Sequence, residues 1–114
     1  MAVTTAFELS AVTVGATELS IVSGTTTLQN NTTAGVYQLV IDAANMAKGD
    51  EFIVKLYEKC KAAGTKRVFS AWILLGVQSE LFITPSFMLL NGWDMTITKL
   101  VGTDRAFDAS IRKA

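Results

Sequence analysis

GWDMTITKLVGTDRAFDASIR, residues 92–112, has the plainest pattern in the chain. Trp93, Met95, Ile97 and Val101 fall on one side of a period-two ladder, with Asp94, Thr96 and Thr98 opposite. Gly102, Thr103, Asp104 and Arg105 supply a turn. The alternation then resumes, with Phe107, Ala109 and Ile111 inward and Asp108, Ser110 and Arg112 outward. Successive side chains of an extended strand point to opposite faces, so this spacing predicts two strands, each with one buried face. Joined by four residues, they read as a β-hairpin.

Working outward, most other segments have the same period. Residues 36–43 read as a strand with Tyr37, Leu39 and Ile41 on one face. Residues 51–60 read as another, with Phe52, Val54 and Leu56 inward and Ile53, Lys55 and Tyr57 outward. Between them AANMAKGD, residues 43–50, suits one helical turn closed by Gly49. KAAGTKR, residues 61–67, is a polar hairpin loop with Gly64 at its sharp point. VFSAWILL, residues 68–75, is apolar on both faces, as expected of a central strand or of one whose outer face meets a partner. Pro85 lies between two apolar runs and marks an edge or a strand junction, because proline lacks a ladder donor. Residues 3–14 alternate weakly, with Phe7, Leu9 and Ala11 against Glu8 and Ser10. After Gly15, residues 16–22 place Leu19 and Ile21 inward. Residues 25–28 suggest a short edge strand, and residues 30–35 a loop.

The fold class that follows is all-β: an antiparallel β-sandwich or jelly roll of about eight short strands. A compact barrel is the alternative. Parallel α/β is disfavoured, since no segment carries a long 3.6-period stripe. The 114 residues make one domain. Half are hydrophobic and 18% are charged, against about a quarter charged in an ordinary domain. That apolar excess predicts exposed apolar area, the usual mark of a partner surface. Lys plus Arg number 10 and Asp plus Glu 10, so no net field draws the chain to nucleic acid or an anionic membrane. The start, MAVTTAFELS, has no secretory-signal pattern, and no apolar run is long enough to span a bilayer. Asn30 and Asn31 sit in glycosylation-type triplets that read here as loop polarity.

Candidate chemistry is sparse. Histidine is absent and Cys60 is the single cysteine, which removes the commonest general base and any cysteine metal cage. Asp50 with Glu51, and Asp104 with Asp108, are the close carboxylates; their turn and outward positions predict local hydrogen bonding rather than acid–base work. Asp42, Asn45 and Asp50 fit no known cation loop. Cys60, flanked by Lys59 and Lys61, reads as a buried structural thiol. Residues 102–105 lack the lysine and glycines of a phosphate loop. The expectation is no catalytic residue, no cofactor and no metal. Lys59, Lys61, Lys66 and Arg67 form a basic cluster suited to a solvated loop or an acidic protein surface. Trp72 and Trp93 offer a possible sugar platform, although Trp93 has core-type ladder partners.

Several segments resemble small head-associated proteins of tailed bacteriophages, of the capsid decoration or cement type. They are GVYQLVID (residues 35–42), KGDEF (48–52), YEK (57–59), GTKRVF (64–69), TPS (84–86) and NGWDMTITKLVGTDRAFDASIR (91–112). The resemblance runs from about Ser20 to the end. It implies a jelly roll or β-tulip, made in the host cytoplasm, that binds the outside of the assembled virion head. The implied partners are the major capsid protein and further copies of itself, as a homotrimer or other homo-oligomer, with no nucleic acid or membrane. Residues 1–5 correspond to the N-terminal arm of such proteins. The apolar positions expected to make contact are Trp72, Leu74, Phe87 and Leu89, joined by Lys59, Lys61, Lys66 and Arg67; periodicity does not separate core from interface among them. A tail or neck component, and a carbohydrate- or host-surface-binding module, are the competing readings.

Overall fold

Strands with one apolar face must have that face covered, and here two sheets cover each other. The computed structural model describes residues 2–114. Its strands are β1 (Thr4–Val14), β2 (Leu19–Ser20), β3 (Gly35–Asp42), β4 (Glu51–Lys59), β5 (Lys66–Leu75), β6 (Phe82–Ile83), β7 (Phe87–Leu89), β8 (Asp94–Val101) and β9 (Arg105–Lys113). One sheet runs β1-β9-β3, with β6 and β7 both on the free side of β3; the other runs β2-β8-β4-β5.

The antiparallel pairings nest. β4 pairs with β5, β3 with β6 and β7, β2 with β8, and β1 with β9. The chain is therefore one long hairpin, with its tip between β4 and β5 and its ends at β1 and β9. Rolling it up sends successive rungs to alternate sheets and adds the pairings β9–β3 and β8–β4. This is a jelly roll. Pro85 divides one arm into β6 and β7. At the break, the Leu39 N–H donates to Thr84 Oγ1 (3.1 Å) and Leu39 O accepts from the Thr84 N–H (3.0 Å).

The expected hairpin over residues 92–112 is instead an arch. β8 and β9 lie in different sheets, and residues 102–104 carry the chain from one to the other. Alternation identifies which face of a strand is buried but not which strand lies beside it, and two strands facing one core from opposite sheets leave the same pattern. Gly102 makes the crossing possible. It has a φ of 105°, and a Cβ there would lie 2.9 Å from Asp50 Cα. Asp50, itself buried, accepts from the N–H groups of Ala47 (2.9 Å) and Thr103 (3.2 Å) and from Arg105 Nε (2.7 Å).

Tyr37, Leu39 and Ile41 face Phe52, Val54, Leu56, Met95 and Ile97 across the core, all buried as their spacing predicts. Phe52 and Phe107 meet edge to face across the sheets, with centroids 4.9 Å apart. Trp93 is wedged between Tyr37 (4.4 Å) and Phe7 (6.2 Å).

Five further expectations change. Residues 43–50 form no helical turn, because the Asp42 and Asp50 carboxylates take the Ala44 and Ala47 N–H groups and hold two tight turns instead. Residues 25–28 form no strand; a single bridge joins Ser20 to Thr25. Ala11 does not face inward: it has a φ of 50° at an irregularity in β1 that turns Val12 to the core. Val101 is half exposed, since a register shift at Glu51 moves it off the inward row. Of the supposed arm, Thr4 and Thr5 already pair with Lys113 and Arg112 in β1, and Met1 lies outside the described residues.

Candidate protein-contact surface

β5 is the outermost strand of one sheet, and β6 and β7 lie at the margin of the other. They share one side of the roll. There Trp72 from β5 meets Phe82 (5.5 Å) and Phe87 (6.4 Å), while Phe69 meets Phe87 edge to face (5.2 Å). These rings close the seam between the sheets, a geometry that adds to simple area burial.

The seam consumes the inward side chains and leaves the outward ones bare. Among the described residues thirteen large hydrophobic side chains are exposed, and nine of them lie within residues 68–90. That concentration makes this side, rather than the opposite one, the apolar surface of the molecule. Ile73 is 53% exposed and Leu75 60%, on the outer face of the β4–β5 sheet. Met88, opposite Val36 on the outer face of the other sheet, is 84% exposed. Leu81, Ile83 and Leu90 continue the surface.

The expected contact residues divide. Leu74 (5% exposed) and Leu89 (3%) belong to the core and are not available to a partner. Trp72 and Phe87 are half-buried in the seam. Their neighbours Ile73, Leu75 and Met88 take the outward positions instead. For β5 the reason is a register shift between Leu56 and Tyr57: Lys59 pairs with Lys66 near the turn, but Val54 pairs with Trp72 beyond it, so one extra residue at Phe69 exchanges the faces of that strand.

The basic cluster divides too. Lys66 Nζ donates to Gln29 O (3.1 Å) and lies 5.4 Å from the centre of the Tyr57 ring. The stem of Lys59 lies against Gly92. Lys61 and Arg67 are exposed, as is Cys60, contrary to the buried thiol expected from its strand position. Cys60 follows the last residue of β4 and belongs to the turn, where the inward row has ended.

Asp94 and Thr96 were expected to face solvent but are fully buried. The segment after Gly24 lies over them. Asp94 accepts from Ser20 Oγ (2.7 Å), the Gln29 N–H (2.9 Å) and the Met95 N–H (2.9 Å), and burial raises its pKa. Glu18 Oε2 accepts from the Tyr57 hydroxyl and from Thr96 Oγ1, both at 2.6 Å. Burial and the neighbouring Glu18 push Tyr57 up to about 12. This network pins the strap across one half of the outer face and leaves the half around Ile73 and Leu75 uncovered.

The remaining polar candidates have local partners. Asp50 is paired with Arg105, Asp104 with Lys99 (2.6 Å), and Asp108 accepts from the Ala11 N–H (2.7 Å). Asn45 Nδ2 donates to Ala106 O (2.9 Å). Among the described residues no three His, Cys, Asp or Glu side chains converge as metal ligands. Trp93, fully buried, offers no face to a sugar. Comparison with known protein families, with characterised proteins and with solved structures returned no match.

Proposed function

We propose that this chain is a structural virion protein that decorates the assembled head of a tailed bacteriophage and cements its capsomer junctions, with the major capsid protein as its partner. The carrying observation is the apolar side formed by β5, β6 and β7, which displays Ile73, Leu75, Ile83 and Met88 on a well-filled core. Covering such a side chain fully contributes about 1.5–3 kcal/mol, so a few of them supply useful affinity. The resemblance of residues 35–42, 64–69 and 91–112 to decoration proteins points to the same role. The mechanism is linkage. A protein that binds the assembled shell but not its free subunits shifts the equilibrium toward the shell. Several weak grips on one lattice add through effective concentration.

Cosedimentation with purified shells tests the reading. The chain should pellet with assembled shells and remain in solution with unassembled capsid protein. Met88→Asp should lower shell binding while the fold is retained. A chain that ignores shells altogether would remove the proposal. Labelling confined to a single ring at the portal would move it to a neck component.

A further inference from the structure

We infer that β5 pairs edge to edge, antiparallel, with β5 of a second copy of this chain, giving a two-fold dimer in which the four-stranded sheet becomes eight-stranded. The inference builds on the reading of this side as a contact surface and names the occupant of one strip of it.

β5 is ten residues long and among the described residues pairs only with β4, so its other edge presents backbone donors and acceptors with no described strand beside them. Proteins usually blunt such an edge with lysine, proline, a bulge or extreme shortness; β5 confines its charges, Lys66 and Arg67, and its bulge to the end near the turn. Here VFSAWILLGVQS, residues 68–79, contains neither a charge nor a proline. The irregularity at Phe69 leaves residues 70–75 in regular register with β4. Of their outward side chains, Ala71, Ile73 and Leu75 are all exposed.

Charge distribution selects a second copy as the occupant. The exposed charge at the start of β5 is positive, Lys61 and Arg67, since Glu58, cross-strand from Arg67, is taken up by the Leu90 and Asn91 N–H groups; at the far end stand Glu51, cross-strand from Leu75, and the exposed Glu80. An antiparallel copy sets each basic end against the other's acidic end and lays uncharged middle on uncharged middle. A parallel copy would set like charges together. Closed two-fold symmetry is the commonest arrangement of identical chains. An axis at Ile73 keeps inward residues beside inward residues and places Ile73 next to its own copy and Ala71 next to Leu75; the basic end holding Arg67 then lies toward the partner's turn after Gly76, which carries Glu80. Met88 points from the opposite face of the sandwich and is left for the shell.

Sedimentation of the full chain across a concentration series tests this. The expected species has twice the 12.3 kDa chain mass. Ile73→Lys places two ammonium groups at the axis and should weaken the dimer by at least about tenfold. Arg67→Glu should weaken it by about tenfold, and adding Glu80→Arg to Arg67→Glu should recover most of that loss. Unchanged far-ultraviolet circular dichroism verifies the fold of each variant, and the charge-reversal pair decides the matter should Ile73→Lys misfold. A monomer throughout the series overturns the inference, as does a dimer indifferent to Ile73→Lys and to charge reversal. Shell binding separates the two readings: a monomer that pellets with shells removes only the pairing, whereas a two-fold dimer that ignores shells supports the pairing and removes only the cement role.

Discussion

The arch of β8 and β9 and the margin formed by β5, β6 and β7 are both rich in large apolar residues, yet they meet opposite fates. β8 lies between β2 and β4, and β9 between β1 and β3, so each has a strand on either side and the opposing sheet above it. Trp93, Met95, Ile97, Phe107 and Ile111 vanish into the core. Among the described residues β5 has one neighbour strand, and its second apolar row, Ala71, Ile73 and Leu75, is exposed. Strict alternation thus marks strands whose needs are met inside the domain. Apolar residues on both faces of a marginal strand leave one row that the monomer does not cover.

Truncation breaks the comparison most sharply. Trp93→Ala should cost about 3–5 kcal/mol of stability, read as a lowered denaturation midpoint. Met88→Ala, at 84% exposure, should change stability by no more than about 0.5 kcal/mol. A Met88 variant as damaging as the Trp93 variant would erase the distinction.

The arch itself is tested next. Gly102→Ala forces a side chain into a left-handed φ of 105° and against Asp50, which should cost roughly 1–3 kcal/mol. The thermal midpoint should fall further than for Gly76→Ala, where φ is also positive but an added Cβ would meet nothing within 4 Å.

Acid titration sharpens the contrast between the two buried carboxylates. Hydrogen bonds from Ala47, Arg105 and Thr103 hold Asp50 down at about 2, from an ordinary value of 3.8. The unfolded state therefore binds the proton more readily, and the stabilisation from Asp50, complete above about pH 4, is lost as pH falls toward 2. Asp94 has the opposite sign. Burial raises its pKa, so the folded state holds the proton better and stability declines as pH rises from the ordinary value through the raised one. Thermal melts across pH should show a flatter acid limb for Asp50→Asn and, for Asp94→Asn, a smaller decline as pH rises above the ordinary carboxylate value. The smallest effect belongs to the Lys99–Asp104 pair, with its half-exposed carboxylate; Lys99→Ala should change stability by about 0–1 kcal/mol.

The inward rows of β3, β4, β8 and β9 were legible, because one repeated period governs burial wherever the strand is regular. Three things were not. The partner of each strand depends on the roll, so the arch looked like a hairpin until both sheets were seen. The faces of β5 depend on one extra residue at Phe69; without it, the β4 pattern carried through the turn would place Ile73 inside and Trp72 outside. The burial of Asp94 depends on a strap whose threonines and asparagines describe only a loop. The exposed apolar side chains thus lie in the strands singled out but at other positions, with Leu74 and Leu89 taken up by the core while Ile73 and Met88 stand exposed.

Hydrogen exchange on the chain alone and on purified phage shells tests the central claim most directly. Amides of β6 and β7 should slow markedly on the shell, while those of β8 and β9, already enclosed, should keep their rates. Slowed exchange confined to β1 and β9, with β6 and β7 unchanged, would contradict the assignment of this side as the contact surface.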